Sequence, residues 1–458
     1  MSNVKQQGGS NRCDAISVQQ LLDEEVVAVP EFLRINNNPD TGDQDIPVGY
    51  YTSQEQHALE KHKLWPKVWQ LACREEDIVE QGEYYIHDSV DDSILIVRQA
   101  DGSIKAMVNS CLHRGRALKT ENGKVSKFRC PFHAFTWNID GSFKGMPCEW
   151  DFEHICKDHM ELPEVAVDSW GGFIFINIDG KAGPLLDYLG VLPDHFSDYQ
   201  LEKAQKGIHV QKVIPCNWKV AHEAFLESWH TVATHPQILP FTADANTQYD
   251  TFGDHISRMI TSMEIASPHL SEVSQEDIVR TSLRCSGRMA SDDADSVEVP
   301  EDMSARKFIG EMNREAFGAA AGRDLSHATL CELQDAILYD VFPNMQLWAG
   351  YFGNIIYQFR PNGDDHDSCI FDVRLLLRNP PEAGRISGVP IHRLTDEQAF
   401  SEAEELGALG PVFDQDMGNL PYMMKGLKAS KKKTVTLGSY QESRIRHLYN
   451  TVTKYLSD

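Results

Sequence analysis

The spacing of hydrophobic positions changes character along this chain, and each change predicts a different kind of element. Near the start, Ser17 precedes Val18, Leu21 and Leu22 at helical spacing, which predicts a short capped helix. Ser53 and Gln56 stand at capping-box positions for a second helix that must end near Pro66. From about Val68 to Ile178 the pattern shortens to that of strands. Tyr84–Ile86, Ser93–Val97 and Ile104–Val108 are rich in β-branched and aromatic residues, and Asp101-Gly102 supplies a hairpin turn. Another hairpin is predicted across Phe135–Phe143 around Asp140-Gly141, and Trp170–Ile176 reads as a final single strand. The pattern describes a small, mostly antiparallel β domain.

Beyond about residue 180, strand and helix signals mix. Val210–Val213 reads as a strand that leads through Asn217-Trp218-Lys219 into a helix running to about Ala233. Residues 270–305 are polar and acidic, centred on Ser291-Asp292-Asp293-Ala294-Asp295, and read as a mobile excursion. Phe352–Phe359 and Cys369–Leu377 are strand-like and flank a polar turn. Ile445, Leu448, Val452 and Tyr455 fall at helical spacing, so a packed amphipathic helix is expected near the end. The expected organisation is an N-terminal extension over 1–45, a β domain with its preceding helix over 46–180, and a larger domain over 181–458. The fold class is α+β.

Composition removes several alternatives. The 458 residues carry a net charge of −25, which opposes binding to a phosphate backbone, so nucleic acid is excluded as a partner. No apolar run approaches the roughly twenty residues a membrane span needs. The first residues lack the basic start and apolar core of a signal peptide, so a cytoplasmic location is expected. Of ten cysteines, eight show no regular pairing and read mostly as buried or inert thiols of a reducing compartment. No glycine-rich nucleotide loop is present, so NAD(P)H is expected to bind a different protein.

Two cysteines stand apart because each has a histidine at ligand spacing: Cys111-Leu112-His113 and Cys130-Pro131-Phe132-His133. Zinc fingers pair cysteine with cysteine and histidine with histidine, whereas each pair here mixes the two. Cys156 and His159 form a rival pair but lack the proline, the aromatic and the following hairpin. The segments CLHRG and CPFHAFTW resemble the Rieske iron–sulfur motif. The resemblance implies a [2Fe–2S] cluster with Cys111 and Cys130 on one iron and His113 and His133 on the other. Histidine ligation raises the potential of such a cluster, which suits it to receive and pass on electrons.

A destination for those electrons is suggested downstream by His230 and His235. Their spacing alone is weak, because it recurs at His57/His62 and His154/His159. Residues five apart on a regular helix sit about 140° apart. Pro236 breaks that geometry by disfavouring an α conformation at His235, which lets the two imidazoles converge. Glu227 lies three residues before His230, and Glu223 four before Glu227, so a continuous helix would place them on one face.

The stretch from Asn217 to Pro236 resembles the iron-binding segment of ring-hydroxylating Rieske oxygenase α subunits. That resemblance implies a catalytic domain with a helix-covered antiparallel sheet (SRPBCC/START-like). It implies mononuclear Fe(II) held by His230, His235 and a distant carboxylate. Asp416 is the favoured carboxylate and Asp414 the alternative, from the segment Phe413–Asn419. It also implies that Glu227 couples this iron to His133 of a neighbouring subunit. Ala224 departs from the pattern, since many members carry Asn or Asp there.

The implied activity is that of a terminal oxygenase acting with O2 on an aromatic or other hydrophobic ring compound. Dihydroxylation, monohydroxylation and oxidative demethylation are all compatible, and a pure electron carrier without the second metal is the competing reading. The implied partners are a ferredoxin, an NAD(P)H-dependent reductase, a possible small β subunit, and further copies in a head-to-tail trimer, α3 or α3β3. Lys428 and Lys431–Lys433 form a basic run that could dock an acidic carrier, although such runs are more often solvated faces. Leu226, Trp229, Phe342, Leu347, Trp348 and Phe352 are the apolar candidates near the iron, each more often core than pocket wall.

Overall fold

Residue 13 and residues 15–351, 354–378 and 388–457 are described by the computed structural model of this chain. The strand Asp92–Arg98 explains the β unit. Ile94 and Ile96 point to one side, where they bury with Ala72, Ala106, Ile174 and Ile176. Leu95 and Val97 point to the other, where they bury with Met107, Phe128, Trp137, Cys111 and Cys130. Both faces of this strand are covered, so its apolar run is continuous rather than alternating. It lies inside a seven-stranded sheet, ordered Gln70–Arg74, Phe173–Asn177, Glu164–Trp170, Ile104–Val108, Asp92–Arg98, Glu83–Ser89 and Gly123–Lys124. A separate three-stranded sheet of Phe128–Arg129, Thr136–Trp137 and Phe143–Gly145 carries the hairpin expected around Asp140-Gly141.

One expectation changes here. Trp170–Ile176 is not one strand but the turn of a hairpin, with Trp170 opposite Phe173. Gly171 and Gly172 both take positive φ (57° and 79°), which suits the tight turns that join twisted strands. Gly82 is constrained more severely. Its φ is +78°, and an added Cβ would lie 2.0 Å from the Val125 carbonyl oxygen, a backbone atom that cannot swing away. Gly82→Ala is expected to destabilise the β unit by roughly 2 kcal/mol or more, read as a lowered melting temperature.

The larger unit is built on an eight-stranded sheet. Its order is Gln248–Phe252, Ile256–Thr261, Ala336–Val341, Met345–Trp348, Asn354–Asn362, Asp365–Arg378, Ala204–Ile214 and His392–Arg393. All pairs are antiparallel except the last. The helices Leu409–Ala429 and Ser443–Ser457 bury Phe413, Leu420, Met424, Ile445, Leu448 and Val452 in the same core as this sheet. This is the expected helix-covered antiparallel sheet.

Residues 270–305 do not form a loose excursion. Gln275–Cys285 and Ala305–Ala321 are helices capped by Ser274 and Ser304. Ile278, Val279, Leu283 and Ile309 bury with Phe241 in a cluster of their own. The stretch between them is polar and carries an acidic run, while these apolar positions at helical spacing decide the structure.

The capped helix at Val18–Asp23 forms as expected, with a full capping box between Ser17 and Gln20. Ser53 also caps its helix, Gln54–Lys63, but the Gln56 amide turns to Glu60 at 3.1 Å, so only half of that box forms. Lys219 Nζ lies 2.8 and 2.9 Å from the two Glu60 oxygens, which ties this helix to the larger unit. Cys73, Cys216, Cys331 and Cys369 are buried, whereas Cys148 and Cys156 are exposed. Among the described residues no helix is long and apolar enough to cross a membrane.

Candidate metal centres

The two cysteine–histidine loops are built alike. In the first, Gly115 N donates to Cys111 O at 2.8 Å and Cys111 N to Arg116 O at 2.9 Å. In the second, Ala134 N donates to Cys130 O at 3.0 Å and Cys130 N to Phe135 O at 2.8 Å. Both loops turn through a residue of positive φ, Gly115 (74°) and Ala134 (62°). Such turns direct backbone N–H groups inward, towards the sulfur. Burial pushes the Cys130 thiol up, but the N–H groups of Phe132 and His133 more than offset it and hold the thiol below its usual range. Burial pushes the Cys111 thiol up.

The four side chains converge. Cys111 and Cys130 are hydrogen-bonded to each other, and the His113 and His133 ring centroids lie 4.8 Å apart. Two sulfurs in contact and two imidazoles side by side, carried on two like loops, fit a [2Fe–2S] cluster of the Rieske kind. The histidines are not equivalent. His113 stacks on Phe135 at 4.5 Å and is half-buried, whereas His133 is exposed.

The second site depends on a break in the chain that the sequence pattern did not indicate. The helix entered at Asn217 ends at Glu223, well before Ala233. Leu226 turns inward and is fully buried, Ser228 N donates to Tyr249 Oη at 3.2 Å, and Ser228 Oγ donates to Asp244 O at 3.0 Å. These tertiary contacts outweigh helix propensity. His230 and His235 then flank the short helix Thr231–Thr234, with His235 out of α geometry (φ −125°, ψ 52°) before Pro236. The convergence expected from Pro236 is present, although the continuous helix face shared by Glu223, Glu227 and His230 is not.

His230, His235 and Asp416 are the group of three among the described residues whose ligand atoms all lie within 4.8 Å. Asp416 comes from the helix Leu409–Ala429 rather than from a turn. Its Oδ1 is 2.7 Å from His235 Nε2 and 3.5 Å from His230 Nε2. Both Nδ1 atoms are already engaged, His230 with Glu227 Oε1 at 2.8 Å and His235 with Gln415 Oε1 at 2.8 Å. Each imidazole is therefore oriented by its outer nitrogen and presents Nε2 to the common centre, as metal-binding histidines do. Without a cation, burial pushes the His230 imidazole down, but Asp416 and Glu227 outweigh it and hold it at about 10. Two imidazoles and one carboxylate on one face fit a mononuclear iron with open positions.

Asp414 is occupied elsewhere. It accepts from Phe400 N at 2.6 Å and Ser401 N at 3.1 Å. Gln415 went unnoticed in the sequence, because its contact with His235 spans 180 residues and no local motif announces it. Leu226, Phe342 and Leu347 lie in the main core, Trp348 packs against that core, and Trp229 is exposed. Phe352 falls outside the described residues. In the basic run, Lys428 pairs with Asp367 at 2.5 Å and Lys432 with Asp45 at 2.6 Å, so these two charges are engaged within the chain.

Glu223 lies behind the site. Burial pushes its carboxyl up to about 8, against hydrogen bonds from Tyr449 and from Tyr51 at 3.2 Å. A carboxyl that keeps its proton longer when folded than when unfolded loses stability as pH rises from its ordinary value of 4.5 through about 8. Glu223→Gln cannot ionise. The wild type is therefore expected to lose stability relative to this variant between about pH 5 and about pH 9, measured by thermal unfolding.

Comparisons with known proteins agree with this geometry. The family model "Ring hydroxylating alpha subunit (catalytic domain)" matches residues 195–458, and "Rieske [2Fe-2S] domain" matches 68–156. The glycine betaine monooxygenase oxygenase subunit of Chromohalobacter salexigens is 31% identical over 201 residues, 43% of this chain and 44% of the relative. The chlorobenzene dioxygenase subunit alpha of a Cupriavidus species is 32% identical over 192 residues, 40% and 42% of the two chains. The aligned stretch thus spans less than half the length of these relatives. A glycine betaine monooxygenase oxygenase subunit of Pseudomonas aeruginosa matches more widely, 26% identical over 65% of this chain and 70% of its own. Among solved structures, a naphthalene 1,2-dioxygenase from a Rhodococcus species bound to indole shares the fold, with TM-score 0.61, 20% identity, and coverage of 90% and 94%. A quaternary ammonium Rieske monooxygenase does so with TM-score 0.63, 16% identity, and coverage of 94% and 100%. The chain belongs to the ring-hydroxylating alpha-subunit family, with a Rieske [2Fe–2S] domain ahead of its catalytic domain.

Proposed function

We propose that this protein is the terminal oxygenase component of a multicomponent system, taking electrons from a separate reductase and inserting oxygen from O2 into an organic substrate. The observation that carries the reading is the coexistence of the converging Cys/His loops with the His230–His235–Asp416 group in one chain. An electron carrier needs only the first. In this reading Cys111, His113, Cys130 and His133 hold the cluster, and His230, His235 and Asp416 hold the iron. When bound, the cluster supplies single electrons and the iron supplies open coordination positions for O2 activation.

The chain's own residues do the positioning. Glu227 takes both the ring Nδ1 and the backbone N–H of His230, at 2.8 and 2.9 Å, fixing that imidazole from two directions. Gln415 holds the His235 ring alone, through Nδ1 at 2.8 Å, while accepting from Gln237 at 2.7 Å. Phe225, Tyr357 and Phe413 pack together and are buried, and the Tyr357 hydroxyl lies within the field of Asp416, so this side excludes water.

Electron entry has a matching surface. Phe132 and Trp150 are exposed in the β unit that carries His133, and Trp229, Val232, Tyr422 and Met423 are exposed beside the iron ligands in sequence. Exposed apolar patches of this kind favour contact between copies. A head-to-tail trimer, α3 or α3β3, would let His133 of one copy face Glu227 of the next, because a heterologous contact closes into a ring. A ferredoxin or an NAD(P)H-dependent reductase supplies the electrons.

Some relatives are named for quaternary ammonium chemistry and others for aromatic rings. The test is therefore a product screen of the iron-loaded protein with a generic reductase against both classes. Hydroxylated or demethylated product matched to O2 uptake supports the reading. Cluster turnover with no product from any substrate, and one iron fewer than expected, favours the electron carrier.

A further inference from the structure

A second site lies away from both metal centres, in a crevice of about 1010 Å³ between the β unit and the large sheet. The hairpin strand Glu83–Ser89 forms one wall, and the strands Ala204–Ile214, Asn354–Asn362 and Asp365–Arg378 form the other. Its lining includes His87 and Arg374, each only 3% exposed. His87 Nε2 and Arg374 Nη1 are buried with no hydrogen-bond partner. Leaving such atoms unmet is costly, so two in one crevice call for a ligand.

The charges around them explain why Arg374 has a donor to spare. Asp372 is the carboxylate beneath it, and its oxygens are taken by His209 at 2.8 Å, Gln211 at 2.8 Å and Arg360 Nε at 3.1 Å. Arg374 stands 3.7 Å from that carboxylate and gives Nη2 to Gln358 Oε1 at 3.2 Å. Lys206, also in the lining, is neutralised by Asp77 at 2.5 Å. Two arginines thus share one saturated carboxylate at the floor of the crevice. At the rim the β unit presents Asp88, Asp91, Asp92 and Glu121.

His87 decides the second half of the recognition. Burial, and then the charges of Arg360 and Arg374, push its imidazole down to about 3, so it is neutral at physiological pH. Its ring is hydrogen-bonded to the Ala72 backbone, and a neutral imidazole has one donor and one acceptor nitrogen. With the donor given to a carbonyl, Nε2 is left as an acceptor. The crevice therefore offers a cationic donor and a neutral acceptor, close enough that the Arg374 charge acts on the His87 ring.

We propose that this crevice binds a small oxyanion bearing a hydroxyl, either hydrogen phosphate or a hydroxycarboxylate. Arg374 Nη1 donates to an anionic oxygen of the ligand, and the ligand hydroxyl donates to His87 Nε2. Both donors and acceptors left open in the structure are then met, and the two domains are tied through one ligand. The site is independent of the oxygenase reading, since it shares no residue with either metal centre.

The test is calorimetric titration of the metal-loaded protein with inorganic phosphate, malate and succinate, at constant ionic strength made up with chloride. Saturable binding of phosphate or malate, at least about tenfold tighter than succinate, is expected, and whichever binds names the ligand class. Arg374→Gln and His87→Phe are each expected to weaken it about tenfold or more. His87→Phe leaves both arginines and Asp372 in place, so it keeps the test open should the arginine variant fail to fold. The proposal falls if neither anion binds above chloride, which would leave water or a side chain of another copy in the crevice. It falls equally if both variants bind as tightly as the wild type, or if succinate binds as tightly as the anion that does bind.

Discussion

Asp416→Ala is expected to lower product formation by roughly 10³-fold or more, equivalent to about 4 kcal/mol, while removing one iron per chain and leaving the visible spectrum of the cluster intact. Asp416 Oδ1 is the atom on which both His230 Nε2 and His235 Nε2 converge, and the side chain is 5% exposed. Two imidazoles alone leave a divalent ion without its charge partner, so occupancy falls with the carboxylate. The neighbouring acid cannot replace it. Residues two apart on a helix point about 200° apart, and the Asp414 carboxylate is held by the Phe400 and Ser401 amides. Asp414→Ala is the control: it should keep both metals and most activity, and lose about 1 kcal/mol of stability through the lost cap. Full iron content in Asp416→Ala, or iron loss in Asp414→Ala, would reverse the assignment. Iron analysis and the cluster absorbance read both outcomes.

The parts of the site that are local in the chain were legible, and the parts that depend on distant packing were not. The cluster loops are closed by hydrogen bonds within five residues, so their chemistry is written in two short segments. Pro236 likewise acts on its immediate neighbour, and His235 departs from α geometry as expected. The helix end at Glu223 was hidden, because Tyr249 and Asp244, which hold the unwound stretch, come from later in the chain. Asp416 and Asp414 are equivalent by composition. The family resemblance favours Asp416, and the packing of their helix turns Asp416 towards the histidines and Asp414 towards Phe400. The segment 270–305 misled in the opposite direction. Its polar and acidic residues hide the apolar ones, yet Ile278, Val279 and Leu283 suffice to bury one face. His87 and Arg374 were silent for the same reason as Gln415, since two strands far apart in sequence bring them to one crevice.

Glu227→Ala is expected to leave the cluster and the iron both bound, yet slow reoxidation of the reduced cluster by substrate and O2 by roughly 10²-fold. The expectation rests on what Glu227 touches. Its carboxylate holds His230 by the ring and by the backbone, and it is nearly buried, so it bears on the proposed ligand from outside the proposed ligand set. Removing it leaves His230 Nε2, His235 and Asp416 to keep the iron. It also removes the anionic group through which His133 of a neighbouring copy would communicate with His230. Glu227→Gln separates coupling from simple positioning. An amide oxygen can still accept from the His230 backbone N–H and preserve the local turn, but it carries no charge for two imidazoles to share. If Glu227 only props up the loop, Glu227→Gln should reoxidise its cluster at the wild-type rate. If it couples the metals, Glu227→Gln should be nearly as slow as Glu227→Ala, with unchanged iron content in both. Rapid single-turnover absorbance of the prereduced protein distinguishes the two. A wild-type rate in Glu227→Ala would place the exit from the cluster somewhere other than His133.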